Sequence, residues 1–366
     1  MIKVMHVLTD TNIGGAGVYL ANYLNRYSKD KFDISVLLPE NARIETRLKC
    51  TGAKIIHAKG MQDKSFSIKA VTETIRIIKS EKPDIMHTHA SLSARVAAFL
   101  CGVPSVNTRH CIEQSKSFPK NIIYGFINNL LSCKVVAVSN AVYDNLIEDG
   151  IKKEKLCVIY NGIEPLKKYS YEEKLKLKKE LGIPENAKAV GLVARLEEVK
   201  NPLSFVRAAK RICKKRDDIY FVLTGDGSLK DRVHSECTGE DKIILTGYRD
   251  DIENIYNALD IITLTSVSEA LSISLLEGMS IELGAISTNS GGPCEIIENG
   301  TNGLITDIYD DHGLADAILT LVDNPNMLSE FGKKGKETVY TKFGISEMIK
   351  KTENLYEEIY KKGCLK

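Results

Sequence analysis

The feature that most constrains this chain is a regular alternation of short, β-branched apolar runs with longer stretches of helical periodicity. In the first half the apolar runs are Lys3–Leu8, Ile34–Leu38, Lys54–His57, Ile85–Thr88, Ser105–Thr108, Val135–Val138 and Leu156–Ile159. Helix-patterned segments separate most of them, at Gly15–Ser28, Ser67–Ser80, Ser91–Leu100 and Asn140–Glu148. Strands that are apolar on both faces need cover on both, and helices between successive strands supply it. The alternation therefore predicts parallel sheets wound on both sides. The pattern restarts after the charged helical stretch Tyr171–Leu181 and the turn Gly182-Ile183-Pro184. New strands are expected at Ala189–Ala194, Tyr220–Thr224, Lys242–Leu245, Ile261–Thr265 and Ala285–Thr288.

A chain of 366 residues is long for a single core. Two doubly wound, Rossmann-like α/β domains are expected, residues 1–164 and 165–345, with the boundary near Asn161–Tyr171. Ligands of such sheets bind at the carboxyl ends of the strands. If the two domains face each other, the cleft between them is the expected active site.

Charge and cysteine usage exclude several classes. Hydrophobic residues make up 43% and charged residues 27% of the chain, which sets aside disordered and fibrous proteins. Up to Pro165 there are 22 Lys/Arg against 15 Asp/Glu; beyond it, 28 against 33. The basic front half suits an anionic substrate or membrane surface, and a chance split of surface charge explains it as well. No nucleic-acid partner is expected. Nine cysteines without a CxxC pair argue against a disulfide framework and a zinc site, leaving buried free thiols as the expectation. MIKVMHVLTD reads as a first strand and not as a leader, and no apolar run is long enough to span a bilayer. The expected location is the cytoplasm, with peripheral contact on the inner membrane face as an option.

The chemistry concentrates in Leu264–Gly278. A buried strand ends near Thr265, a polar turn follows, and a helix begins near Ser272–Ser274. Serine is a good N-cap, and the free N–H groups and dipole of a first helical turn favour an anion. Glu269 falls in the turn and Glu277 about one turn inside the helix. On continuous helix the two would lie about 80° apart; with Glu269 in the turn, both can address one ligand lying across the helix start. Carboxylates accept hydroxyl hydrogen bonds, as a sugar ring or ribose offers. Arg195 and Lys200 flank the turn after the first strand of the second half, and Asn201-Pro202 reads as an N-cap and first helical residue. Two cations there can neutralise a diphosphate and the charge that grows on it as a glycosidic bond breaks.

Taken with PDIMHTH (Pro83–His89), NTRH (Asn107–His110), VSN (Val138–Asn140), YNGI (Tyr160–Ile163), VARLEEVKN (Val193–Asn201), LTGDGSL (Leu223–Leu229), GYRDDI (Gly247–Ile252) and SGGPCEIIENGTNGLI (Ser290–Ile305), the E-x7-E pair Glu269/Glu277 resembles the family 4 retaining glycosyltransferases of the GT-B fold. The likeness is to members that build surface polysaccharides and glycolipids, and it spans nearly the whole chain. It implies that the final helix, 346–366, returns to the first domain. It also implies a nucleotide-sugar donor, UDP ahead of GDP, and a glycan or lipid-linked acceptor. By the same resemblance Arg195 and Lys200 clamp the donor diphosphate, Glu277 holds the ribose, Glu269 the sugar, and His110 contacts the sugar near C6. The loop Gly14-Gly15 borders the donor phosphate, and Leu271, Ser272 and Ile273 line the donor pocket. No metal and no cofactor is expected.

Departures are Ala270-Leu271-Ser272, where relatives often have Gly-Phe-Gly, Cys111 in place of a small residue, and Ala285 where proline is frequent. They alter the pocket around the sugar more than the reaction. His87 and His89 could line the cleft or make structural hydrogen bonds. Asn140 and Asn161 could cap or touch ligand, and Gly291, Gly292 and Glu295 serve fold or ligand equally well. Asp226 reads as a turn residue, and no cluster of metal ligands stands out. A dinucleotide-binding loop lacks its third glycine, because position 20 is Leu. A nucleotide-sugar 2-epimerase, a phosphorylase and a non-catalytic subunit of a polysaccharide assembly complex are the rival readings. The apolar segment Phe118–Leu131, bordered by Lys116, Lys120 and Lys134, reads first as a core helix and second as a membrane-docking one.

Overall fold

Seven parallel strands form the first sheet: β1 (Ile2–Leu8), β2 (Phe32–Pro39), β3 (Lys54–Ala58), β4 (Ile85–His89), β5 (Ser105–Arg109), β6 (Lys134–Ala137) and β7 (Leu156–Val158). Their order is β3-β2-β1-β4-β5-β6-β7. The computed structural model describes residues 1–9, 15–59, 61, 66–113 and 118–363; Gly14 and Lys116 lie outside them. The second sheet has six strands: β8 (Lys188–Val193), β9 (Ile219–Thr224), β10 (Ile243–Gly247), β11 (Ile261–Leu264), β12 (Gly284–Thr288) and β13 (Leu304–Thr306), in the order β10-β9-β8-β11-β12-β13. Each order runs outward from a central strand and then reverses, at β1/β4 in one sheet and β8/β11 in the other. Such a reversal opens a crevice at the strand carboxyl ends.

Two compact units carry these sheets: Met1–Gly162 with Ile345–Lys366, and Ile163–Gly344. In the first unit the helix Ile345–Lys362 adds Ile345, Met348, Ile349, Leu355, Tyr356 and Ile359 to the core of β1, β2 and helix Gly15–Arg26. Its Glu353 carboxylate accepts from the Ser28 N–H (2.7 Å) and hydroxyl (2.9 Å). In the second unit the charged helix Tyr171–Glu180 is held by Asp260, whose carboxylate takes Lys174 Nζ at 2.8 Å and Lys178 Nζ at 3.0 Å.

Serine starts five of the helices. Ser67, Ser91, Ser139, Ser170 and Ser272 each accept a backbone N–H from the first turn, and Ser170 forms a full capping box with Glu173. Two asparagines at helix starts do not act as side-chain caps. Asn140 donates to Tyr160 Oη at 2.7 Å, leaving the cap to Ser139. Asn201 adopts a left-handed backbone (φ 45°) and makes no cap bond, while Pro202 does begin its helix.

The apolar segment Phe118–Leu131 forms helix Lys120–Leu131, and strand β6 follows it. The helix is not a core helix all round. It buries Gly125, Asn128 and Leu131, and its backbone approaches so closely at Gly125 that a Cβ there would lie 2.4 Å from the Gly150 carbonyl oxygen. Phe118, Ile122, Ile123, Phe126 and Leu130 remain exposed. The cysteines also differ from expectation: Cys133 is disulfide-bonded, Cys237 is a buried free thiol, and Cys50, Cys111 and Cys294 are exposed. Among the described residues no helix is long and apolar enough to cross a membrane.

Candidate active site

The reversal in the second sheet puts the loop after β8 beside the loop after β11, and these carry the residues singled out above. The Val267 N–H donates to the Val199 carbonyl (2.8 Å), and Thr265 Oγ1 donates to the Lys200 carbonyl (2.9 Å). So joined, the loops bring Lys200 Nζ onto Glu269 Oε2, which also accepts from Ser266 Oγ at 3.1 Å. Both partners are mostly buried, with side-chain exposures of 19% and 11%. Lysine 200 and Glu269 are thus held at the carboxyl ends of the two central strands. Arg195 lies on the same β8 loop, exposed. That loop rests on the turn after β9 through Leu196 N–H to Asp226 O (2.9 Å). Gly225 and Gly227 allow this contact, since a Cβ on Gly225 would meet the Ala194 oxygen at 1.9 Å. Asp226 is a turn residue: its Oδ1 accepts the Gly227 N–H.

Behind the Lys200–Glu269 pair, the segment 269–272 runs as a strap into helix Ile273–Ser280. Glu269 N–H donates to Ser290 O (2.8 Å) and Gly292 N–H donates to Glu269 O (2.9 Å). Gly292 has ordinary helical dihedrals, yet its Cβ would sit 1.8 Å from the Ala270 oxygen. Packing therefore accounts for this glycine. Ala270, Leu271 and Ser272 are buried, Ile273 is half-buried, and Ser272 Oγ accepts the Leu275 N–H. Glu277, one turn into the helix, accepts from Tyr256 Oη at 2.8 Å. Burial, and then the Glu277 carboxylate, push the Tyr256 phenol well above its ordinary range, so it stays protonated and donates. Tyr256 and Ser266 were not legible as site residues; each acts through a carboxylate that the sequence did mark.

In the first unit Gly15 opens helix Gly15–Arg26, is exposed, and would meet nothing within 4 Å if given a Cβ. His110 follows β5 directly and takes part in a buried polar cluster. His89 Nδ1 lies 2.9 Å from His110 Nε2, and His6 Nδ1 lies 3.2 Å from His89 Nε2. His87 Nε2 lies 2.6 Å from Thr108 Oγ1, and its Nδ1 meets the hydroxyl of Tyr356, which is 3.2 Å from His6 Nε2. Burial and then Arg109 push His110 down to about 3, and burial first and neighbouring imidazoles second hold His6, His87 and His89 well below the ordinary histidine range. His6, His87 and His89 also form a group with nitrogens within 4.8 Å of one another, a ligand-type cluster that the sequence reading did not single out. His6 stands in an apolar first strand, which was its only signal.

Two family models divide the chain between them, "Glycosyltransferase Family 4" over residues 13–166 and "Glycosyl transferases group 1" over residues 173–338. The chain belongs to the family 4 glycosyltransferases. The transferase is 26% identical over 374 residues to the Escherichia coli UDP-Gal:α-D-GlcNAc-diphosphoundecaprenol α-1,3-galactosyltransferase, covering 97% of this chain and 96% of that one. It is 24% identical to the N-acetyl-α-D-glucosaminyl L-malate synthase of Bacillus anthracis, over 80% of each. The fold matches the crystal structure of Anabaena HepE in complex with UDP and glucose with a TM-score of 0.87, at 21% identity, over 98% of this chain and 100% of that one. The two Rossmann-like domains are those of GT-B glycosyltransferases.

Proposed function

We propose that this glycosyltransferase moves a hexosyl or N-acetylhexosaminyl group from a UDP-sugar to a hydroxyl of a lipid-linked or glycan acceptor, retaining the anomeric configuration. The observation that carries it is Lys200 paired to Glu269 at the strand reversal of the second sheet, beside the start of the helix bearing Glu277. A relative named for a UDP-galactose donor and a diphosphoundecaprenol acceptor supports the donor and acceptor classes. In this reading Lys200 leaves Glu269 for the donor diphosphate, joined by Arg195, and the freed carboxylate turns to the sugar hydroxyls. Glu277, oriented by Tyr256, takes the ribose hydroxyls. His110 contacts the sugar near C6, and Gly15, Leu271, Ser272 and Ile273 shape the donor pocket with backbone groups. The two cations supply the charge stabilisation that a divalent metal would otherwise give, so activity should survive chelation. No carboxylate stands out as nucleophile, and front-face attack, with the leaving phosphate oxygen taking the acceptor proton, fits the residues at hand.

Lys200→Ala and Glu277→Ala should each lower donor kcat/KM by more than about tenfold, as loss of a charged hydrogen bond does. Normal kinetics in both variants would refute the site, and an inverted product from an α-linked donor would refute retention. Donor conversion without acceptor would instead favour the epimerase.

A second part of the proposal places the first unit against an anionic membrane that carries the acceptor. Ile122, Phe126 and Leu130 make an exposed stripe of helical spacing, joined by Ile123, and Phe118 is exposed just before the helix. Lys120 is exposed at the start of that helix. At its far end the exposed Lys152 and Lys153 follow on a turn tied to Asn129 by the Lys152 N–H (3.1 Å). Apolar residues flanked by cations suit a negatively charged bilayer surface.

A further inference from the structure

The polar cluster under His110 has a property that none of its members has alone. Its hydrogen bonds run in single file: Thr108 Oγ1, His87 Nε2; His87 Nδ1, Tyr356 Oη; Tyr356 Oη, His6 Nε2; His6 Nδ1, His89 Nε2; His89 Nδ1, His110 Nε2. At the open end His110 Nδ1 is buried and has no hydrogen-bond partner among the described residues. His6, His87 and His89 are fully enclosed by the sheet and the helix Ile345–Lys362.

A neutral imidazole carries one N–H and one bare nitrogen. In such a file each shared contact needs one proton, no more and no fewer. If His110 is protonated on Nδ1, its Nε2 must accept from His89 Nδ1–H. His89 Nε2 then accepts from His6 Nδ1–H, His6 Nε2 from the Tyr356 hydroxyl, the Tyr356 oxygen from His87 Nδ1–H, and His87 Nε2 from Thr108. If His110 is instead protonated on Nε2, every bond reverses and ends with His87 Nε2–H donating to Thr108. Any mixed arrangement leaves two acceptors, or two protons, face to face inside the core, at the cost of an unsatisfied buried polar group.

We infer that these residues act as one tautomeric unit, and that it decides whether His110 presents Nδ1 as a hydrogen-bond donor or as an acceptor. His6, His87, His89, Thr108 and Tyr356 are positioning residues in this role; none needs to touch substrate. The inference builds on His110 being the ligand-facing residue of the proposed function. A sugar hydroxyl that favours one form of Nδ1 selects that form for the whole file, as far as Tyr356 on the C-terminal helix. Moving between the two forms shifts one proton across each contact; one proton leaves His110 Nδ1 for the ligand or water and water returns one to Thr108 Oγ1, so the file holds the same number of protons in both forms. A metal on His6, His87 and His89 is the competing use of the same nitrogens, and it would replace their shared protons.

Histidine tautomers are read directly from long-range 1H–15N couplings in protein labelled with 15N-histidine. The expected result is one common tautomer for His6, His87, His89 and His110. In Tyr356→Phe the oxygen that joins His87 to His6 is gone, so His87 should lose its match to the other three. The same variant should lower kcat by about tenfold, the scale of one buried hydrogen bond, with donor KM within about twofold. Thr108→Ser, which keeps the hydroxyl, should behave as the native protein. Opposite tautomers within the four, an imidazolium among them at neutral pH, or a stoichiometric transition metal in the purified protein would each overturn the inference. The native tautomer measurement stands even if a variant does not fold. Matched tautomers in a protein inert toward every nucleotide sugar would uphold the file and reject the proposed donor chemistry.

Discussion

Replacing Gly292 by alanine tests whether the strap at residues 269–272 positions the donor site. Gly292 has φ −52° and ψ −32°, which alanine adopts freely, so the substitution introduces no backbone strain. Its effect is steric alone. The new Cβ would lie 1.8 Å from the Ala270 oxygen, 2.5 Å from its carbonyl carbon and 3.1 Å from the Leu271 nitrogen. Side-chain carbons do not approach other atoms below 3.0 Å, so strap and helix must part by more than about 1 Å. The contacts at risk are Gly292 N–H to Glu269 O and Glu269 N–H to Ser290 O, which set the height of Glu269 above β11. A misplacement of about 1 Å near reacting groups costs on the order of 10²-fold in rate, about 2.7 kcal/mol. The stability cost should be smaller in its consequences, roughly 1–3 kcal/mol for an overpacked site, and the protein should stay folded. Steady-state kinetics with a UDP-sugar, beside circular dichroism and thermal melting, measures both. Gly15→Ala is the matched control, since its Cβ meets nothing within 4 Å. It should leave the melting temperature unchanged, which separates the steric cost at Gly292 from the effect of adding a methyl as such. A Gly292→Ala enzyme that is folded and within twofold of native kcat/KM would refute the strap argument.

Further outcomes follow from the same geometry. Tyr256→Phe removes the 2.8 Å bond that orients Glu277. Donor KM should rise by roughly three- to tenfold with kcat little changed, as for a lost neutral–charged hydrogen bond; an unchanged KM would show that Glu277 needs no such support. His110 is held down at about 3 in the folded chain, against about 6.5 when unfolded. The folded state then binds fewer protons, so its contribution to stability is complete above pH 6.5 and is lost as pH falls from there toward 3. By pH 5 the loss is roughly 2 kcal/mol. Urea midpoints at pH 7 and pH 5 should therefore differ more for the native chain than for His110→Gln, and equal differences would contradict a neutral His110. Phe126→Asp with Ile122→Asp should abolish co-sedimentation with anionic vesicles while leaving transfer to a soluble acceptor intact; unchanged sedimentation would dismiss the membrane face.

What was legible in the sequence is what is local to a strand and the turn that follows it. Alternating apolar runs specify parallel strands, and the strand carboxyl ends then carry Lys200 and Glu269 to neighbouring loops, because β8 and β11 are adjacent in the sheet. The short edge strand Leu304–Thr306 escaped notice because three half-buried residues leave little pattern. Helix Lys120–Leu131 was misjudged for a different reason. Its apolar content suits a core, but periodicity does not say which apolar face finds a partner, and here the face with Gly125 and Asn128 turns inward. Partners distant along the chain were the least legible. Tyr256 meets Glu277 across 21 positions, and Tyr356 meets His87 across 269. Neither pairing leaves a trace in local composition. Gly292 shows the same limit from the other side, since a glycine beside a binding loop reads equally as room for ligand or room for backbone. Only the position of the Ala270 carbonyl separates the two. Motifs therefore pointed to the charges of the proposed site, whereas the groups that aim those charges come from packing between segments remote in sequence. In the proposed donor pocket Ala270, Leu271 and Ser272 would act through the placement of their backbone, and that placement depends on contacts with Gly292 and Ser290, some twenty positions further along the chain.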